Sequence, residues 1–126
     1  MQYTVKTSRL SYPETVAALT TAITGAGNTV FATIDQAAAA AKVGLTLRPT
    51  TLIVFGNPKG GTGLMAAFPL AALDLPLKLL VWEDGGAVKV AYTPMSVIAA
   101  RYAVTGMDPL LANMDHALDT LSGAVA

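Results

Sequence analysis

The stretch Lys59-Gly60-Gly61-Thr62-Gly63 stands three residues beyond the apolar run Leu52-Ile53-Val54-Phe55. A strand that empties into glycines can serve as an anion cradle. Glycine lets successive backbone N–H groups converge, and a helix starting there adds its own N-terminal amides. Asn57, Lys59 and Thr62 would add side-chain donors to the amides of Gly60, Gly61 and Gly63.

Nucleotide chemistry demands more than glycines. Gly56 and Gly61 have the spacing of G-x-x-x-x-G, but Thr62-Gly63 stand where that pattern requires Lys followed by Ser or Thr. The K-G-G-x-G-K-T loop of partitioning-type ATPases is closer, yet Leu64 and Met65 occupy its second lysine and its threonine. The absent lysine would contact the β- and γ-phosphates, and the absent hydroxyl would hold Mg²⁺. Lys59 lies on the approach side and cannot replace them. The chain also lacks the repeated βαβ units of such an enzyme. ATPase chemistry is set aside.

What remains over residues 56–65 is a nest for a small anion, a carboxylate or a phosphate ester, with apolar walls from Leu64, Met65 and Trp82. The alternative is a tight strand-to-helix crossing that merely needs its glycines. Composition alone favours that alternative, because glycine-rich turns outnumber ligand nests.

The other chemical side chains offer less. Glu83 and Asp84 are neighbours at a strand end, so they point to opposite faces and make a poor acid/base pair. Asp35 is a conceivable acid, although capping the helix that follows explains it more simply. Asp74 either closes over the loop or caps a turn before Pro76. Lys78 could reach a ligand or snorkel, and Arg101 could bind an anion or suit a helix C-terminus. His116 is the single histidine and there is no cysteine. The chain therefore forms no disulfide, no thiolate zinc site and no cysteine nucleophile. No metal and no cofactor is expected.

These residues need elements to position them. Gln2–Ser8 alternates as a first strand. Ser11, Pro13 and Glu14 spell a capped helix start, and Val16, Leu19 and Ile23 share its inner face. A strand around Thr29–Ile34 leads to an alanine-rich helix capped by Asp35 and ended by Gly44. The strand Thr51–Phe55 precedes the glycine loop, and a short helix is expected from about Gly63 to Pro69. Two strands joined at Asp84-Gly85-Gly86 form a hairpin. Within it Lys78, Leu80 and Trp82 oppose Leu77, Leu79 and Val81, so this strand is apolar on both sides and either central or covered by a partner. Helices from Thr93-Pro94 and from Asp108-Pro109 complete the chain, the last with a Leu111, Met114, Leu118, Leu121 seam. The reading is α+β: one domain over residues 1–126, with about five strands in a mainly antiparallel sheet and helices packed on it.

Composition limits the partners. Among 126 residues, 53% are hydrophobic and 13% charged, and eight basic residues balance eight acidic ones. So few charges on a small surface point to burial against another copy, hence a homodimer. No basic stripe supports nucleic-acid binding. The apolar stretch from Gly63 to Trp82 is broken by Pro69, Asp74, Pro76 and Lys78, which argues against a membrane span. The first ten residues lack a signal-peptide core, so a cytoplasmic address is expected.

Two strings carry a family resemblance: the loop string Gly56-Asn57-Pro58-Lys59 with Gly61-Thr62 and Leu64-Met65, and Asp74-Leu75-Pro76-Leu77-Lys78 with Leu80-Val81-Trp82-Glu83-Asp84. With their surroundings, roughly Phe31 to Tyr102, they resemble the family called domain of unknown function 302. That resemblance implies a compact helix-grip, TATA-binding-protein-like α+β fold, often dimeric, and brings no established activity. Many members read Asp-His where this chain has Asp35-Gln36, and Arg-His where it has Arg101-Tyr102. A histidine-based mechanism does not carry over.

Three readings follow in order: a homodimeric module binding a small anionic or polar ligand at the glycine loop, a structural or protein-interaction module, and last a metal-free enzyme using Asp35 or Lys59 for proton transfer.

Overall fold

The computed structural model describes residues 2–126. The elements in order are β1 (Thr4–Thr7), α1 (Tyr12–Gly25), β2 (Thr29–Asp35), α2 (Gln36–Ala41), β3 (Thr50–Gly56), α3 (Pro58–Ala67), a 3₁₀ helix (Pro69–Asp74), β4 (Leu77–Asp84), β5 (Ala87–Tyr92), α4 (Met95–Arg101) and α5 (Asp108–Gly123). The strands form one sheet in the order β1-β5-β4-β3-β2. Every neighbouring pair is antiparallel.

Local chemistry fixes most boundaries. Ser11 and Glu14 close a reciprocal capping box at the start of α1. Asp35 accepts the Ala38 amide at 2.9 Å and caps α2. The hairpin turns on Gly85 and Gly86, both with positive φ (58° and 88°), as a tight turn between right-twisted strands requires. The first amide of α4 has no cap from its own segment; Asp115 of α5 accepts the Met95 N–H at 2.7 Å instead.

The helices seal one face of the sheet. Leu19 and Ile23 of α1 and Met114, Leu118 and Leu121 of α5 pack with Ile53, Phe55, Leu79, Val81, Val88 and Val90 in the core. Polar groups inside it are paired: Ser8 and Thr15 share a hydroxyl hydrogen bond of 2.7 Å, and the Tyr12 hydroxyl bonds Thr51 across to β3.

The opposite face is left open. The register lines up Val5, Ala91, Leu80, Leu52 and Ile34 as one apolar row across all five strands. None of them is fully buried, and Val5 and Ile34 are 44% and 40% exposed. Thr7, Lys89, Trp82 and Thr50 form the next row. β4 is therefore central and apolar on both sides, and only its Leu79/Val81 side is covered by helices.

Two expectations change. The glycine stretch is not a loop followed by a helix from Gly63, because α3 already begins at Pro58. A 3₁₀ helix, absent from the sequence reading, then fills Pro69–Asp74.

Removing the α1 cap tests the first of these local signals. Ser11→Ala should cost about 1 kcal/mol, read as a lower urea midpoint at unchanged slope.

A hollow beside the glycine helix

The start of α3 decides what the glycines can do. Asn57 is its N-cap, and its Oδ1 accepts the Lys59 amide at 3.0 Å. The Asn57 carbonyl accepts the Gly60 and Gly61 amides at 2.8 and 3.1 Å. Pro58 has no N–H to offer. Thr62 and Gly63 lie within the helix, where amides bond carbonyls one turn back. The expected anion nest of converging free amides is therefore not present: a helix capped by Asn57-Pro58 has spent those hydrogens on its own backbone.

An opening does lie beside them. A hollow of about 500 Å³ is bounded by the Gly56–Thr62 segment and Met65, by Asn28 and Phe31 at the start of β2, by Leu75-Pro76-Leu77, and by Leu110, Asn113, Met114 and Ala117 of α5. Met114 and Gly56 are buried and Leu75, Leu77 and Leu110 half-buried, so its floor is apolar. Asn57, Lys59, Thr62 and Asn113 are exposed and give it a polar rim. Lys59 is the sole charged residue on its walls and belongs to neither ion pair among the described residues.

The side chains nominated by the sequence divide. Asn57, Lys59, Gly60, Gly61, Thr62 and Met65 border the hollow. Leu64 turns the other way into the core at 0% exposure. Gly63 faces α5, where an added Cβ would meet Leu110 Cδ1 at 3.7 Å. Trp82 cannot be a wall: it pairs with Thr50, whereas the hollow adjoins Gly56 at the other end of β3. Asp35 lies at the far end of β2 from the Thr29–Gly56 pairing and is occupied as a cap. Lys78 belongs to the open face and donates to the Pro76 carbonyl at 3.0 Å. Asp35 and Lys59 are both exposed, not in the desolvated setting that proton transfer would require.

The residues missed by sequence reasoning come from elements remote in the chain. Leu110, Met114 and Ala117 do carry a signal, a helical-period stripe that shares Met114 with the core seam of α5.

Arg101 enters a separate cluster. Its Nη1 and the Tyr102 hydroxyl both donate to Asp74 Oδ2, each at 2.6 Å, tying α4 to the 3₁₀ helix. The Tyr102 hydrogen bond, followed by the Arg101 guanidinium, holds the Asp74 carboxyl below its ordinary value of 3.8. The same contact raises the Tyr102 hydroxyl, because Asp74 stabilises its protonated form.

Glycines 60 and 61 are not demanded sterically. A Cβ at Gly60 would meet nothing within 4 Å, and one at Gly61 only Met65 Cε at 3.7 Å. Neither has positive φ. Each weakens the helix by roughly 1 kcal/mol relative to alanine while keeping the wall of the hollow bare.

The geometry so far defines an α+β protein with an open five-stranded antiparallel sheet, helices on one face and a hollow at one end of its central strands. The chain belongs to the family described as domain of unknown function DUF302, whose sequence pattern matches residues 3–121. The crystal structure of an uncharacterized conserved protein DUF302 from Bacillus stearothermophilus superposes with a TM-score of 0.91 over 100% of this chain and 99% of that one, at 16% identity. That likeness confirms the fold the resemblance implied. Among curated proteins, 98 residues are 40% identical to the fluoride-specific ion channel FluC 1 of Brucella suis biovar 1 (strain 1330). They are equally identical to FluC 2 of Brucella melitensis biotype 1. The matched region is 77% of this chain but only 39% and 36% of those proteins. No helix among the described residues is long and apolar enough to cross a membrane.

Two measurements check this account. Gly60→Ala and Gly61→Ala should each raise stability, by roughly 0.5–1 kcal/mol. A glycine held for backbone strain would lose stability instead. Asp74 has a depressed native pKa, so its contribution is complete above its ordinary value of 3.8 and disappears as pH falls through the lower native value. Asp119 beside Lys6 and Glu14 beside Ser11 are held low too and act in the same acid window. Tyr102→Phe should therefore reduce, not abolish, the loss of urea stability between pH 5 and the acid limit.

Proposed function

We propose that this chain is a small cytoplasmic binding module that holds a ligand with an anionic or polar group in the hollow beside α3, and that a second copy packs on the open face of its sheet. One observation carries the ligand reading. Lys59, without an ionic partner among the described residues, is the sole charge on a hollow with an apolar floor, next to helix glycines the fold does not need. A hollow of about 500 Å³ is of the size small-molecule sites have. The ligand meets the Lys59 ammonium and the Asn57 and Thr62 side chains, not the backbone amides.

The apolar row from Val5 to Ile34 supports self-association, since monomers seldom leave so continuous an apolar face in water. It also accounts for a charge content of 13%.

A second reading draws on the relatives. Proteins named as fluoride-specific ion channels contain a region 40% identical to this chain over less than two fifths of their length. In such a protein the domain could serve as an interaction module whose open face docks on the remainder of the chain. Bare fluoride is a poor candidate for the hollow itself: it is strongly hydrated and needs several N–H donors, and those of α3 are taken.

Solution mass and ligand-induced stabilisation test the proposal. The expected mass is twice the 12.9 kDa of the chain, and Leu80→Glu should return it to the monomer. Carboxylates or phosphate esters at 100 times Kd should add about 2.7 kcal/mol of stability, and Lys59→Met should remove that gain without lowering the unliganded stability. A monomeric wild type unaffected by any anion would leave the interaction reading in its place.

A further inference from the structure

We infer that the occupant of the hollow is a single-chain amphiphile with an anionic head, such as a medium-chain carboxylate or alkyl phosphate, its head at Lys59 and its tail against Phe31, Met65, Leu110 and Met114. This rests on the ligand reading above and goes further by fixing the ligand's chemistry.

The distribution of polar groups is the first ground. A nucleotide or sugar needs hydrogen-bonding groups converging on its body. The Lys59, Gly60 and Gly61 amides along this wall are bonded to Asn57, and the polar side chains Asn57, Lys59, Thr62 and Asn113 stand at exposed positions, with Asn28 half-buried beside Phe31 at one end. Beneath that rim, Asn28 apart, the hollow offers hydrocarbon and thioether. A molecule polar throughout would lose its hydration and recover little. A molecule polar at one end keeps that end at the wet rim and buries only its hydrocarbon.

Charge is the second ground. Lys59 is the one charged wall group and no carboxylate borders the hollow, so a cationic head is repelled and an anionic one attracted. The state of the apolar walls is the third. Phe31 is 53% and Met65 36% exposed, large side chains that border the hollow and lack cover. A hydrocarbon chain would bury them, and unbranched methionines such as Met65 and Met114 adapt to chains of different curvature. Gly60 and Gly61 leave the helix side of the hollow without projecting carbons, so a chain can lie against the backbone.

Titration calorimetry on the full chain tests this with acetate, hexanoate, octanoate and decanoate below their micelle concentrations, alongside inorganic phosphate and decyltrimethylammonium. The expected result is a Kd that falls about fourfold per added methylene, with decyltrimethylammonium at least tenfold weaker than decanoate. Lys59→Met should erase that head-group preference. Ala117→Phe should fill the hollow and weaken decanoate at least tenfold. Gly60→Leu, whose first side-chain carbon meets no atom within 4 Å, should do the same while its thermal midpoint reports an intact fold. Acetate or phosphate binding as tightly as decanoate would overturn the amphiphile and leave the small-anion reading standing. Equal affinity for decanoate and decyltrimethylammonium would overturn the anionic head. Silence with every compound would remove both readings. Retention on phosphatidylglycerol vesicles without a response to dissolved decanoate would overturn the dissolved ligand in favour of a bilayer.

Discussion

Asn57 takes the amide hydrogens of Lys59, Gly60 and Gly61, one on its side-chain oxygen and two on its carbonyl, and Pro58 contributes none. A helix ordinarily begins with orphan N–H groups; in α3 those of Lys59, Gly60 and Gly61 are all taken. The consequences spread outward from that cap. A segment rich enough in glycine to wander is committed to helical geometry, its polar backbone is spent internally, and the space alongside is shaped by side chains from β2, β4 and α5. The same sequence that invites comparison with a phosphate loop becomes the plain wall of an apolar hollow. Three glycines in a ten-residue helix cost stability, and the cap with the packing of Leu64 into the core offsets part of that cost.

The sheet lives under a different constraint. β3 and β4 are apolar on both faces, while α1, α3, α4 and α5 join only one core. A strand in that position must be covered twice or leave hydrocarbon in water. Here the second side stays open from Val5 across to Ile34, and α2, the helix nearest in sequence, buries none of its residues. The apolar excess in the composition is thus concentrated on one surface, not scattered over the molecule.

The Asp74 cluster shows a third way of joining elements. Tyr102 and Arg101 converge on one carboxylate oxygen and fasten α4 to the 3₁₀ helix that leads into β4. Tyr102 makes this tie with a phenol, which donates a hydrogen bond to Asp74 without offering a group that titrates near neutrality. The tie is structural and stands apart from the hollow.

Much of the fold was legible from short-range chemistry. Ser11 and Glu14 announce α1, Asp35 announces α2, Gly85-Gly86 forces the hairpin, and the seam of α5 follows from its period, because caps, turns and one-sided burial depend on residues within a few positions of one another. The apolar two-sidedness of β4 was equally plain. Which residues would share the hollow was not. Trp82 was grouped with the glycines by chemistry and separated from them by register, and Leu64 was grouped with them by adjacency and rotated into the core by the helix. Phe31, Leu110 and Met114 arrived from elements that only the packing of β2 and α5 around the end of β3 brings together. Above all, the sequence supplied glycines next to a possible helix start, and only the folded chain decided that Asn57 would satisfy their amides. A backbone hydrogen already bonded within the protein has little left for a ligand, and here the partner is Asn57.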